Sequence, residues 1–196
     1  MGEQLLPLTE FLRISNCGHI LYFYETLEQY VANAVAYVTT GIEYGHHILI
    51  VEKDDIYPLI DRELKQIFDD SEYQNYVHYI DSGSFYGIHG DFHYWSIVAY
   101  FGKVIQSLFK NNITIRTWAH VQWKEQDNIL LKLDEFEQVA DKSVSEMELM
   151  SVCAYDANAV SASLLTRMLH SHAFYMTDNE LVQSPLYGSY KRATFS

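Results

Sequence analysis

The sequence is poor in cysteine, poor in basic residues and free of long apolar runs, and each shortage removes a class of protein. There are two cysteines in 196 residues, Cys17 and Cys153. They lie far apart and form no CxxC, so neither a disulfide framework nor a cysteine-rich zinc ribbon is available. No secretory signal opens the chain, and both are expected as reduced thiols of a cytoplasmic protein. Thirteen Lys and Arg face 26 Asp and Glu, a formal net charge of −13. No basic cluster occurs anywhere, which argues against nucleic acid as a partner, since phosphate binding needs a positive stripe. The same sign argues against anionic membrane surfaces. No apolar run approaches the ~20 residues of a membrane span.

What is abundant is aromatic: 16 Tyr, 10 Phe and 3 Trp. Most such rings fill cores, but tyrosine also suits pocket walls and interfaces that are half apolar and half wet. Hydrophobic residues make up 48% and charged residues 20% of the chain, ordinary globular usage. The length implies one domain with a core that needs no covalent staples.

Apolar periodicity divides the chain regularly. Gly18–Tyr24, His47–Val51, Tyr76–Ile80, Ile113–Val121 and Glu148–Tyr155 read as strands, with an edge strand near Ala173–Met176. Thr26 is placed to cap a helix that carries Tyr30, Ala34 and Val38 on one side and stops at Gly41. Further helices are expected over about 54–68, 91–110, 128–144 and 158–170, and Asp81–Gly90 reads as a loop. Strands alternating with helices predict an α/β fold of three layers, a mostly parallel sheet with helices on both faces. In such folds ligands sit outside the carboxyl ends of the strands. Residues 1–16 form an amphipathic N-terminal segment, 17–187 the domain, and 188–196 a frayed tail.

The run from His19-Ile-Leu-Tyr-Phe-Tyr-Glu25 through Gly41-Ile-Glu-Tyr-Gly45 to His47-Ile-Leu-Ile-Val51 is similar to the opening of RecA/KaiC-type domains. The phosphate loop of those domains is missing: Tyr24-Glu-Thr-Leu-Glu-Gln-Tyr-Val31 stands between strand and helix. A phosphate loop needs glycines whose N–H groups cradle phosphate and a lysine that reaches the outer phosphates. This stretch has neither, and Glu25 and Glu28 would repel a triphosphate. Together with Arg116-Thr-Trp118, Glu135-Phe-Glu137 and Leu149-Met-Ser-Val-Cys-Ala-Tyr-Asp156, the pattern resembles the MEDS family, the methanogen/methylotroph DcmR sensory domain. The resemblance spans roughly 17–187. It implies a RecA-like fold without the Walker A loop, a sensory role toward small organic compounds, and a signalling partner such as a histidine kinase or transcription regulator.

The residues admit several constellations. His19, Tyr24 and Glu25 offer a polar lining where the phosphate loop would be. Tyr86 and His89 lie on a loop placed to cover the strand ends. His89 and His93 have i, i+4 spacing, but Gly90 lies between them and Asp91 reads as a helix cap, so no metal is expected there. Arg116 sits in an apolar strand and needs a carboxylate, Glu135 or Glu137, or an anionic ligand. Trp118, His120 and Trp123 could wall an aromatic pocket. Tyr155 closes the last strand. Cys153 lies in an apolar strand and reads as a structural thiol, and His46-His47 and His170/His172 as surface or capping residues.

The resulting expectation is a non-catalytic, cytoplasmic ligand-binding domain with His19, Tyr24, Glu25, Tyr86, His89, Arg116, Trp118 and Tyr155 at the pocket. It has no metal and no cofactor, takes a small organic molecule, and acts on a separate protein, with a homodimer left open. The alternative is a ligand-free interaction regulator on the same scaffold.

Overall fold

A computed structural model describes residues 17–87, 92–108 and 113–189. The segment 1–16, His89 and the tail beyond 189 lie outside the described residues. The elements run β1 (Gly18–Tyr24), α1 (Leu27–Glu43), β2 (His47–Glu52), α2 (Tyr57–Ile67), α3 (Asp70–Tyr76), β3 (Val77–Asp81), α4 (Ser82–Gly87), α5 (Tyr94–Leu108), β4 (Ile115–His120), α6 (Ile129–Glu146), β5 (Met150–Asp156), α7 (Ala162–Met168), β6 (Phe174–Met176) and β7 (Leu181–Gln183).

The strands form one sheet in the order β3-β2-β4-β5-β1-β6-β7. Every described pairing is parallel except β6 with β7. Alternation along each strand divides the core in two. Ile20, Tyr22, Tyr24, Ile48, Ile50 and Trp118 face α1, α2 and α3. Leu21, Phe23, Leu49, Val51, Cys153 and Tyr155 face α4 to α7. The expected three layers are therefore present, and the central strands are buried on both sides, as an all-parallel core requires.

Local chemistry explains where boundaries differ from the sequence reading. The expected loop after β3 begins as a short helix, because Asp81 Oδ2 accepts from the Ser84 N–H at 2.7 Å while Phe85 and Tyr86 bury their rings. The added helix α3 is capped by Asp69, which accepts from Glu72 N–H. Its apolar signal is a single buried residue, Tyr73, too little to read as periodicity. After β5, Asp156 caps a 3-10 turn at Ala157–Ala159, so the helix waits for its own cap, Ser161. β7 is three residues long and mostly exposed.

The β1–α1 turn, where a phosphate loop would stand, is filled by a carboxylate of the chain itself. Asp178 lies in the turn between β6 and β7. Its Oδ2 accepts from the backbone N–H of Glu25 (3.2 Å) and Thr26 (3.0 Å) and from the Thr26 hydroxyl (3.2 Å). Its Oδ1 accepts from the Tyr22 hydroxyl at 2.7 Å. Asn33 of α1 donates to the Asp178 carbonyl and to the Tyr22 oxygen. A negative group at a helix N-terminus meets the positive end of the dipole and the free N–H groups there. The acidic segment thus has its helix start neutralised from a distant loop. Among the described residues no helix is long and apolar enough to cross a membrane.

Asp178→Ala removes four hydrogen bonds at a residue that is only 7% exposed. Urea unfolding is expected to show a loss of about 2–4 kcal/mol, with Asp178→Asn retaining part of it. An unchanged midpoint would show that this carboxylate does not hold the turn.

Candidate functional site

Besides the Asp178 brace, a polar cluster lies on each face of the sheet among the described residues, and the two differ in one decisive respect. On the α1 face, Glu52 at the end of β2 is fully buried. It accepts from the Tyr30 hydroxyl, the Lys53 N–H at 2.8 Å and His120 Nδ1 at 2.6 Å. Trp118 Nε1 donates to the Tyr30 oxygen at 2.8 Å, and the Tyr24 hydroxyl lies 3.1 Å from His120 Nε2. Burial, then Glu52, pushes the Tyr30 phenol well above its usual range, so it stays a donor. None of these side chains contributes to the buried polar atoms that lack a partner. A network already satisfied specifies a unique core and leaves nothing for a ligand to complete.

On the opposite face, His19 of β1, Cys153 of β5, Glu137 of α6 and His172, which follows α7, converge. Their donor atoms all lie within 4.8 Å of one another, and all four residues are buried. His19 Nε2 is 3.3 Å from Cys153 Sγ and 3.7 Å from Glu137 Oε2. His172 Nε2 is 3.3 Å from Glu137 Oε2, and the two imidazoles stack at 3.9 Å. The far side of each ring is anchored: His19 Nδ1 faces the Ser171 carbonyl at 3.1 Å and His172 Nδ1 the Met168 carbonyl at 2.9 Å. The Tyr155 hydroxyl donates to Glu137 Oε1. Among the described residues, Glu137 Oε2 and His172 Nε2 have no hydrogen-bond partner.

The electrostatics of this cluster are set by burial and by mutual contact. Burial alone would raise the Glu137 carboxyl. His172, His19 and the Tyr155 hydroxyl outweigh it and hold the carboxyl below its usual range. Burial, then the neighbouring His19, lowers His172 against the opposing pull of Glu137. Burial and the Glu137 charge push the Cys153 thiol well up. The Cys153 thiol therefore rests protonated.

Beside the cluster lies an apolar cavity of about 40 Å³ between the sheet and helices α5 and α6. Phe85, Ile97, Phe101 and Val144 are among its walls, and His19 and Cys153 belong both to the cavity and to the polar cluster. Its floor includes Ala119, which pairs across the sheet with Val51 and Cys153. A small residue at the centre of a parallel sheet leaves the room that the cavity occupies. Roughly 10–15 Å³ of such space holds one water, so this cavity suits a molecule of about three heavy atoms.

The residues singled out from sequence are thus divided by the sheet. His19, Tyr86 and Tyr155 come together on the α6 face, with His19 and Tyr86 lining the cavity. Tyr24 and Trp118 belong to the satisfied network on the other face. Glu25 is exposed at the β1–α1 turn and contributes its N–H to Asp178. His89 lies outside the described residues. The cavity lies against a face of the sheet at mid-strand, not beyond the carboxyl ends of the strands.

Arg116 stands apart from all of these, near the start of β4. Neither Glu135, which is exposed, nor Glu137, on the other face of the sheet, reaches it. Among the described residues its three nitrogens have no hydrogen-bond partner, and the expected carboxylate pair is not formed. The guanidinium lies instead over the rings of Tyr37 and Tyr44 at 5.9 and 6.0 Å, beneath the end of α1. A Cβ on Gly41 there would come within 3.4 Å of Arg116 Cδ. Ring faces and the negative end of a helix dipole take the place of the carboxylate. Burial lowers the Arg116 pKa, and burial and Arg116 together push the nearby His46 down to about 4.

Sequence reasoning undervalued three residues of the cluster. His172 is fully buried rather than a surface or capping residue, and Cys153 touches His19. Glu137 had a readable signal: it falls within the apolar stripe of Leu133, Phe136, Ala140 and Val144 at helical spacing. A carboxylate in such a stripe needs partners.

Several solved structures share this architecture. One, an ATPase domain, superposes with a TM-score of 0.57 at 8% identity, covering 87% of this chain and 74% of that one. A protein of Pyrococcus horikoshii OT3 gives 0.57 at 9% identity, covering 91% of each chain. The RadB recombinase gives 0.54 at 8%, covering 83% and 74%. At these identities the likeness establishes the RecA-like fold alone. None of the curated proteins matches the chain in sequence. The family model for MEDS, the methanogen/methylotroph DcmR sensory domain, matches residues 18–173, most of the chain, and the chain therefore belongs to this family of sensory domains.

Proposed function

We propose that the chain is a non-catalytic sensor that takes a small apolar organic molecule into the cavity between the sheet and α5/α6 and passes the change to a separate protein. The observation that carries this reading is the cavity itself, an apolar pocket between the sheet and its covering helices with His19 and Cys153 on its wall. Apolar burial would supply most of the affinity, and the two polar groups would orient the bound molecule. The apolar lining favours this reading over a ligand-free docking module, because an unfilled apolar pocket forfeits packing contacts.

Three features support a role without catalysis. Asp178 occupies the N–H groups at the β1–α1 turn that a nucleotide phosphate would need. The polar network around Glu52 is complete without substrate. Cys153 has its thiol raised by burial, the opposite of what a nucleophile requires.

Filling the cavity moves whatever packs over it, chiefly α5 and α6, with α4 contributing Phe85 and Tyr86. The signal then passes as a shift between two arrangements of this helical face, which a histidine kinase or a transcription regulator would read. A ligand can bias the two arrangements only by binding one better than the other.

Xenon and one- to three-carbon alkanes and haloalkanes are the probes matched to this volume. Saturable binding is expected by NMR titration, with the methyl groups of Val51, Val98 and Val144 responding first. Ala119→Leu or Ala140→Leu, each of which fills the cavity, is expected to weaken binding at least tenfold. Undiminished binding in both folded variants would place the ligand elsewhere.

A further inference from the structure

We propose that His19, Glu137, Cys153 and His172 form a binding site for one transition-metal ion of the Zn²⁺, Co²⁺ or Fe²⁺ class. The inference stands apart from the ligand reading and does not rest on it. The donor set is two imidazole nitrogens, one carboxylate oxygen and one thiolate sulfur, the mixture that borderline divalent ions select.

The distances already suit such an ion. Bonds of about 2.0–2.3 Å in a tetrahedron imply donor–donor edges of roughly 3.3–3.7 Å. The separations of His19 Nε2 from Cys153 Sγ and Glu137 Oε2, and of His172 Nε2 from Glu137 Oε2, are 3.3, 3.7 and 3.3 Å. The remaining edges lie within 4.8 Å, so closing on an ion needs shifts of an ångström or so in side chains alone.

The orientation of the donors is the stronger argument. In both histidines Nδ1 faces a backbone carbonyl, Ser171 for His19 and Met168 for His172. That fixes the proton on Nδ1 and turns the Nε2 lone pair inward, the arrangement that supports metal-bound imidazoles. Tyr155 holds the other oxygen of Glu137 in the same supporting manner. Two of the inward atoms, Glu137 Oε2 and His172 Nε2, are fully buried with no hydrogen-bond partner among the described residues. Two acceptor atoms 3.3 Å apart repel; a cation between them satisfies both.

Charge balances as well. Binding deprotonates the Cys153 thiol and releases that proton to solvent, so carboxylate and thiolate together neutralise a divalent ion in a buried site. Because His19 and Cys153 also line the apolar cavity, an occupant of the cavity would lie against two of the metal's ligands.

The test uses the full chain expressed in minimal medium with Co²⁺ as the only added transition metal. One Co²⁺ per chain is expected by elemental analysis, with a thiolate-to-cobalt charge-transfer band in the near ultraviolet. Cys153→Ser is expected to lose that band, and His172→Ala and Glu137→Gln to weaken binding at least tenfold, while Cys17→Ser keeps both signals. X-ray absorption at the cobalt edge of the unaltered protein needs no variant and is expected to show one sulfur at about 2.3 Å with nitrogen and oxygen at about 2.0–2.2 Å. Folded protein that carries no stoichiometric Co²⁺, or a cobalt shell without sulfur, would overturn the proposal. Because halocarbon binding to the cavity is read by NMR without added metal, failure of one result leaves the other standing.

Discussion

Side chains alternate across a strand, and in β1 this single constraint organises the molecule. It sends Tyr22 and Tyr24 to one face of the sheet and His19 to the other, with β5 following in register so that Cys153 and Tyr155 join His19. The sheet then separates two buried polar clusters, one around Glu52 and one around Glu137. The cluster around Glu52 is closed, each polar atom matched to another. The cluster around Glu137 is open, with two unmatched atoms and an apolar cavity beside it. A slip of one residue in the β1 register would exchange the two sets and bury the wrong groups against the wrong helices.

The relation to nucleotide-binding RecA-like folds follows from the β1–α1 turn. In a phosphate loop the backbone N–H groups of this turn are kept free for phosphate. Here Asp178 reaches them from the far end of the chain. The turn where a phosphate loop would stand is here an internal brace that holds the β6–β7 turn to the start of α1. The fold is kept, and an apolar cavity lies beside Glu137 on the α6 face of the sheet. This fits membership in a sensory family on a scaffold whose structural neighbours include an ATPase domain.

Much of the architecture was legible in the sequence because it rests on local signals. The apolar runs His47–Val51 and Gly18–Tyr24 and the Thr26 cap each act within a few residues and appear where expected, whereas the helix runs past the expected stop at Gly41 to Glu43 and the left-handed turn falls at Gly45. The candidate site was half legible. His19, Tyr86 and Tyr155 were readable as strand-end or loop residues and do converge. Glu137 could have been singled out as a carboxylate in an apolar stripe. His172 could not, since it lies in irregular chain after α7 and reaches the cluster only because the chain returns to pair β6 with β1. Arg116 misled because a buried cation calls for an anion, whereas two tyrosine rings and a helix end answer it here.

The central claim is that the functional compartment lies on the α6 face while the old nucleotide turn is sealed. Two-dimensional NMR of the labelled protein, titrated in parallel with Mg-ATP and with a short haloalkane, addresses both halves at once. The account predicts haloalkane shifts at Val51, Ala119, Ala140 and Val144 and none from Mg-ATP at Glu25, Thr26 or Leu27. Saturable Mg-ATP shifts at the β1–α1 turn, with the cavity signals unmoved by the haloalkane, would contradict it.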